Sequence, residues 1–185
     1  MRRIFIAVKV SPEERLNSMI SSLKILMAGE SIKWVEPENI HLTLAFAGET
    51  SDDKITNVSN LLQEKCTGFG NFEFMLKGMG VFKNFREPRA IWAGIQLSDK
   101  LVRLNELVNT VMKISGINIE NRVFKPHLTI GRIKMLKSQT NLKTILEKYH
   151  DVEIQKVQVH EVILFESILQ PTGPLYKPVS IISLG

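Results

Sequence analysis

The run RRIFIAVKV at 2–10 is dense in apolar and β-branched residues and predicts a first strand. Leu16, Met19, Ile20, Leu23, Leu26 and Met27 then recur at helical spacing, which predicts a helix with one buried stripe. Ser11, Pro12 and Glu14 supply its start as a Ser-x-x-Glu capping box with proline in the first helical position. Gly29 supplies its stop. IKWV and HLTLAFAG read as strands, and Ile55, Val58, Leu61 and Leu62 mark a second helix over roughly 52–66. FEFMLKGMGVF and RAIWAGIQL predict a hairpin around KNFREP. Ser98 opens a third helix carrying Leu101, Leu104, Leu107, Val108 and Val111, and Gly116 closes it. HLTIGRI is a strand, and Leu142, Ile145, Leu146 and Tyr149 outline a short fourth helix. EIQKVQVHEVILFES and YKPVSIISL supply the last strands.

The order strand, helix, strand, helix, strands therefore runs once from residue 2 and again from about residue 89. The pattern predicts an α+β fold of two similar lobes facing each other, with residues 1–185 as a single bilobal domain. No Gly/Ser linker or low-complexity tract divides the chain.

Composition narrows this picture only slightly. The 185 residues and their 44% apolar content are enough for a packed core without staples. Cys66 is the sole cysteine, so no internal disulfide is available; it reads as a buried structural thiol in a reducing compartment. The opening MRRIFIAVKV imitates a signal peptide. Its apolar part is too short, Lys9 interrupts it, and Glu13 and Glu14 follow, which predicts a cytoplasmic protein. No apolar run is long enough to span a bilayer. The net charge of +5 favours a polyanionic partner, although the basic residues are scattered.

The candidate chemistry lies in a repeat. Two of the four histidines open the same tripeptide, His-Leu-Thr, first at 41 and again at 127, in equivalent places of the two halves. Alternate side chains of a strand share a face, so His41 and Thr43 point one way, and His127 and Thr129 do likewise. Ala45 and Gly131 are the next positions on those faces by strict alternation; both are small and would let a ligand approach the backbone. Two opposed imidazoles suit in-line displacement at phosphorus, one taking a proton from the attacking hydroxyl and one giving a proton to the departing oxygen. The threonine hydroxyls would donate to the non-bridging oxygens. Two histidines are too few for a zinc site, and the spacing of Glu38, Glu49, Asp52 and Asp53 signals no metal, so no metal or other cofactor is expected.

At these residues the chain resembles the two-histidine (2H) phosphoesterase superfamily. Within it, the chain resembles the RNA 2′,3′-cyclic phosphodiesterase, or 2′-5′ RNA ligase (LigT-like), family. The likeness runs through RRIFIAVKV, Trp34 ahead of ENIHLTLAFAGE, RAIWAGI, FKPHLTIGR and the tail VILFESILQPTGPLYKPVSIISL. It implies a bilobal LigT-like fold, each lobe an antiparallel sheet flanked by helices, with the active-site cleft between them. It also implies metal-independent opening of an RNA 2′,3′-cyclic phosphate to a 2′-phosphomonoester. His41 would be the proton donor to the leaving 3′ oxygen and His127 the base activating water, with Thr43 and Thr129 holding the phosphate; the residues by themselves do not separate the two histidine roles.

Lys125, Arg132, Phe124 and Tyr176 are further candidates for RNA contact, although Arg132 falls on the wrong strand face unless a bulge or the strand's end turns it. His150 and His160 read as structural or solvated. The expected partner is RNA with 2′,3′-cyclic ends, acted on by a monomer. The alternatives are ATP-independent 2′-5′ ligation at the same site, a cyclic phosphodiesterase of small nucleotides, and a non-catalytic RNA-binding module.

Overall fold

A computed structural model describes residues 1–119, 123–171 and 173–185. In chain order the elements are β1 (Arg2–Lys9), α1 (Glu14–Leu26), β2 (Ser31–Trp34), a 3₁₀ turn (Pro37–Asn39), β3 (His41–Thr50), α2 (Asp52–Cys66), β4 (Phe72–Phe82), β5 (Ala90–Ile95) and α3 (Asp99–Ile114). Then follow β6 (His127–Met135), α4 (Gln139–Glu147), β7 (Glu153–Val159), β8 (Glu161–Gln170) and β9 (Gly173–Ser183). The repeated order is present, with β2 and the 3₁₀ turn added to the first half. EIQKVQVHEVILFES divides into β7 and β8, and His160 sits at the break rather than on a strand face.

The strands pair antiparallel in the order β7-β4-β5-β6-β3-β1-β8-β9, with β2 added beside β6. Each lobe contributes half of this order. Where β3 meets β6 they share a single register pair, Leu42 opposite Leu128, and both leucines are fully buried. The two expected sheets are thus one sheet joined at one rung. Helices trade sides: α1 packs against β7 of the far lobe, and α3, which follows β5, packs against β3. Likewise β4 follows the first-half helix α2 but pairs with β5.

Most apolar burial forms one cluster beneath the helices, including Ile4, Leu23, Leu42, Leu62, Leu104 and Leu128. A second, small cluster joins Phe5, Ala7, Ile163 and Phe165 on the opposite face of β1 and β8, with Tyr176 packed against it. Local signals account for several boundaries. Ser98 Oγ accepts from the Leu101 N–H at 3.3 Å, the N-cap of α3. Gly116 ends that helix at φ +67°, a conformation that disfavours side chains.

The predicted start of α1 is corrected. The helix begins at Glu14 without a side-chain cap, so Ser11 makes no capping box. Gln155 of β7 takes its place: its Oε1 accepts from the Glu13 N–H and its amide donates to the Ser11 carbonyl, both at 2.9 Å. Leu26, expected in the buried stripe, is 50% exposed.

Candidate active site

The two histidine strands carry the same irregularity at the same place. Along β1, Ala7 pairs with Thr43 and Ile6 with Ala45, so Leu44 is an extra residue. Along β5, Trp92 pairs with Thr129 and Ile91 with Gly131, so Ile130 is extra. Each bulge falls three residues after its histidine and reverses the alternation beyond it. Ala45 and Gly131 therefore turn into the core, and Phe46 and Arg132 face the cleft. The expectation that Ala45 and Gly131 leave room for a ligand is overturned. Gly131 is small because Trp34 and Ile32 lie on it: a Cβ there would meet them at 3.1 and 3.0 Å. The bulge that Arg132 requires is present.

A bulge frees a backbone carbonyl, which must find a donor when buried. Leu44 O accepts from Asn105 Nδ2 of α3 at 2.8 Å, and Ile130 O accepts from the Val35 N–H at 2.8 Å. Asn105 is itself buried. Asn105→Ala strands the Leu44 carbonyl and is expected to cost about 1–3 kcal/mol, read as a lower urea midpoint at constant m-value.

The antiparallel pair Leu42–Leu128 sets His41 across from Thr129 and Thr43 across from His127, on one face. All four line a cleft of about 580 Å³. Each imidazole is held in the same way. His41 Nδ1 lies 2.7 Å from the Asn39 carbonyl, and His127 Nδ1 lies 2.7 Å from the Lys125 carbonyl, in both cases two residues upstream. A carbonyl only accepts, so both Nδ1 atoms carry hydrogen and both Nε2 atoms are left for a ligand. Aromatic rings fix the orientation. His41 stands edge-on to Tyr176 at 5.2 Å and against Phe5 at 5.0 Å; His127 stands edge-on to Phe82 at 4.6 Å. Both histidines remain partly exposed.

The electrostatics are asymmetric. Burial holds the His41 pKa below its ordinary value; the Asn39 carbonyl acts against this, and the charges of Arg132 and His127 add to it. The histidines of the two lobes thus sense each other. Arg132 makes no ion pair among the described residues. Burial raises the Tyr176 hydroxyl pKa, with Arg132 and Arg3 opposing the rise, so the phenol is a neutral donor at neutral pH.

Of the other expected contacts, Arg132 and Tyr176 join the histidine cleft. Lys125 and Phe124 do not; they line a separate groove with Asn105 and Asn109 that meets His127 from the other side. Lys125 serves His127 through its carbonyl rather than its ammonium. The sequence singles out neither Phe46, which lines the cleft side with Arg132, nor Phe82, which packs against His127. The common offset of Phe46 and Arg132 from their histidines is the signal that would have paired them. Among the described residues no three His, Cys, Asp or Glu side chains cluster closely enough to hold a metal ion.

The profile of the LigT-like phosphoesterases matches residues 8–92 and 95–176, one block for each histidine motif. The chain belongs to the LigT-like phosphoesterase family. It is 35% identical to the RNA 2′,3′-cyclic phosphodiesterase of Thermotoga maritima over 175 residues, 95% of this chain and 91% of that protein. It is 32% identical to the protein of the same name from Methanothermobacter thermautotrophicus, over 98% of both. The crystal structure of TT0787 from Thermus thermophilus superposes with a TM-score of 0.80 at 25% identity, covering 98% of this chain and 97% of that one. The bilobal LigT-like fold expected from the motifs is thereby established, and the chain is a phosphoesterase of this family.

Proposed function

We propose that this phosphoesterase opens the 2′,3′-cyclic phosphate at RNA ends to a 2′-phosphomonoester, with His41 and His127 as acid and base. The observation that carries the reading is the matched presentation of two Nε2 atoms by the two backbone carbonyls, on one cleft and beside two threonines. The phosphorus sits between the rings. One Nε2 takes the proton of the attacking water and the other gives a proton to the departing 3′ oxygen, so the bond from phosphorus to the 3′ oxygen breaks as the new P–O bond to water forms. Thr43 and Thr129 donate to the non-bridging oxygens, and the Arg132 guanidinium balances their charge. Relatives at 32–35% identity that carry the name RNA 2′,3′-cyclic phosphodiesterase support the substrate. The resemblance to the family supports His41 as the donor. Cys66, buried with its thiol pushed up to about 11, is inert and suits a reducing cytoplasm, where the chain acts as a monomer.

The depressed His41 has a consequence for pH dependence. In the empty cleft it gives up its proton below pH 6.5, so one break of the kcat/KM profile lies below that value. Bound substrate brings a negative charge that offsets Arg132 and holds the proton more firmly. The same break moves upward in the kcat profile; identical breaks in the two profiles would contradict this.

The deciding assay incubates the protein with an RNA carrying a 2′,3′-cyclic end, in the presence of a chelator, and maps the phosphate on the product. A 2′-phosphomonoester supports the reading. A 3′-phosphomonoester, a 2′-5′ joined RNA as the main product, or no turnover overturns it.

A further inference from the structure

A second basin of about 320 Å³ adjoins the first across Tyr176, sharing His41, Thr43 and Arg132 with it. The two differ in charge. The first sets Glu36 and Glu38 among the cations Lys33, Arg132 and Lys134. The second is lined by two guanidiniums, Arg3 and Arg132, and, among the described residues, by no carboxylate. Its remaining wall is Phe5, Phe46, Ser167, Leu169 and Pro174.

Arg3 is held for use. Its neighbour Arg2 is committed to ion pairs with Asp52 and Glu166. Arg3 faces Glu49 across β3 in register, yet among the described residues it pairs with no carboxylate. Its guanidinium lies 5.0 Å above the Phe46 ring instead. That stacking keeps the planar fork fixed without consuming its hydrogen-bond donors. Phe46 reaches this position only because of the Leu44 bulge, and it is 48% exposed. A partly exposed aromatic under an unspent arginine, beside an exposed Leu169, is a surface for a phosphate with a nucleoside attached.

We propose that Arg3, Phe46 and Leu169 form a second nucleotide subsite that grips the internucleotide phosphate one step from the cyclic end, so that an RNA chain is the preferred substrate over a mononucleotide. The inference rests on the cyclic phosphodiesterase reading above. The terminal nucleoside occupies the larger cleft, its cyclic phosphate lies between the histidines, and its 5′-side phosphate turns past Tyr176 to Arg3. No bond changes in this subsite; it adds binding and orientation to the reacting end.

The test compares kcat/KM for three substrates: a nucleoside 2′,3′-cyclic phosphate, the same compound with a 5′-phosphate, and a dinucleotide ending in the cyclic phosphate. The wild-type chain is expected to favour both substrates that carry the extra phosphate, and Arg3→Ala to lower that preference about tenfold, the loss of one charge-assisted contact. Raising the salt concentration is expected to erode the wild-type preference and to leave that of the variant nearly flat. A preference ratio unchanged by Arg3→Ala, or absent in the wild type, overturns the subsite while the phosphodiesterase reading stands. No turnover of any of the three substrates overturns both.

Discussion

Replacing either His127 or His41 with alanine is expected to lower kcat on a cyclic phosphate end by about 10³-fold, within the range that a positioned acid or base supplies. The two losses are expected to be similar, because each histidine is held by the same Nδ1-to-carbonyl bond two residues upstream and each faces the other strand's threonine. The double variant is expected to lose little more than either single one, because an acid without its base completes no proton relay. Thermal unfolding separates chemistry from folding. Both rings are partly exposed and lie outside the main apolar cluster, so Tm is expected to shift only slightly. A variant of either histidine that turns over at near wild-type rate would remove that residue from the mechanism.

The second large effect is on stability. Leu128→Ala is expected to cost about 2–5 kcal/mol in chemical denaturation, a large share of the roughly 5–15 kcal/mol typical of a folded domain. Leu128 is fully buried and is half of the one register pair that links the lobes. The residues on both sides of it are His127 and Thr129, so a cavity at this point also loosens the frame of the cleft. The destabilisation is therefore expected to come with a loss of kcat in the folded fraction. Leu101→Ala, equally buried but on α3 away from the rung, provides the comparison: similar stability loss with smaller change in kcat. Equal effects of the two on kcat would show that the rung has no special part in aligning the motifs.

The legible parts of the sequence were those that depend on local chemistry. The helix expected over 52–66 is α2, Ser98 caps α3, and FEFMLKGMGVF is β4 from end to end. The paired histidines and threonines converge as their strand positions implied. Features set by distant parts of the chain were hidden. Gln155, over 140 residues away, displaces the local capping box at Ser11. The bulges at Leu44 and Ile130 depend on Asn105 and Val35 to receive the freed carbonyls, and no alternation rule sees them. They are why Ala45 and Gly131 were misplaced and Phe46 overlooked. Lys125 went astray for a different reason: its backbone, which every residue shares, holds His127 and its charge does not.

The crossing-over of α1 and α3 bears on how such a chain can come apart. Cut in the exposed stretch between β4 and β5, neither fragment owns a complete layer: one would carry a first helix with no strand beneath it, the other a helix meant for its neighbour. Each piece would leave an apolar helix face uncovered until the other piece returned to it.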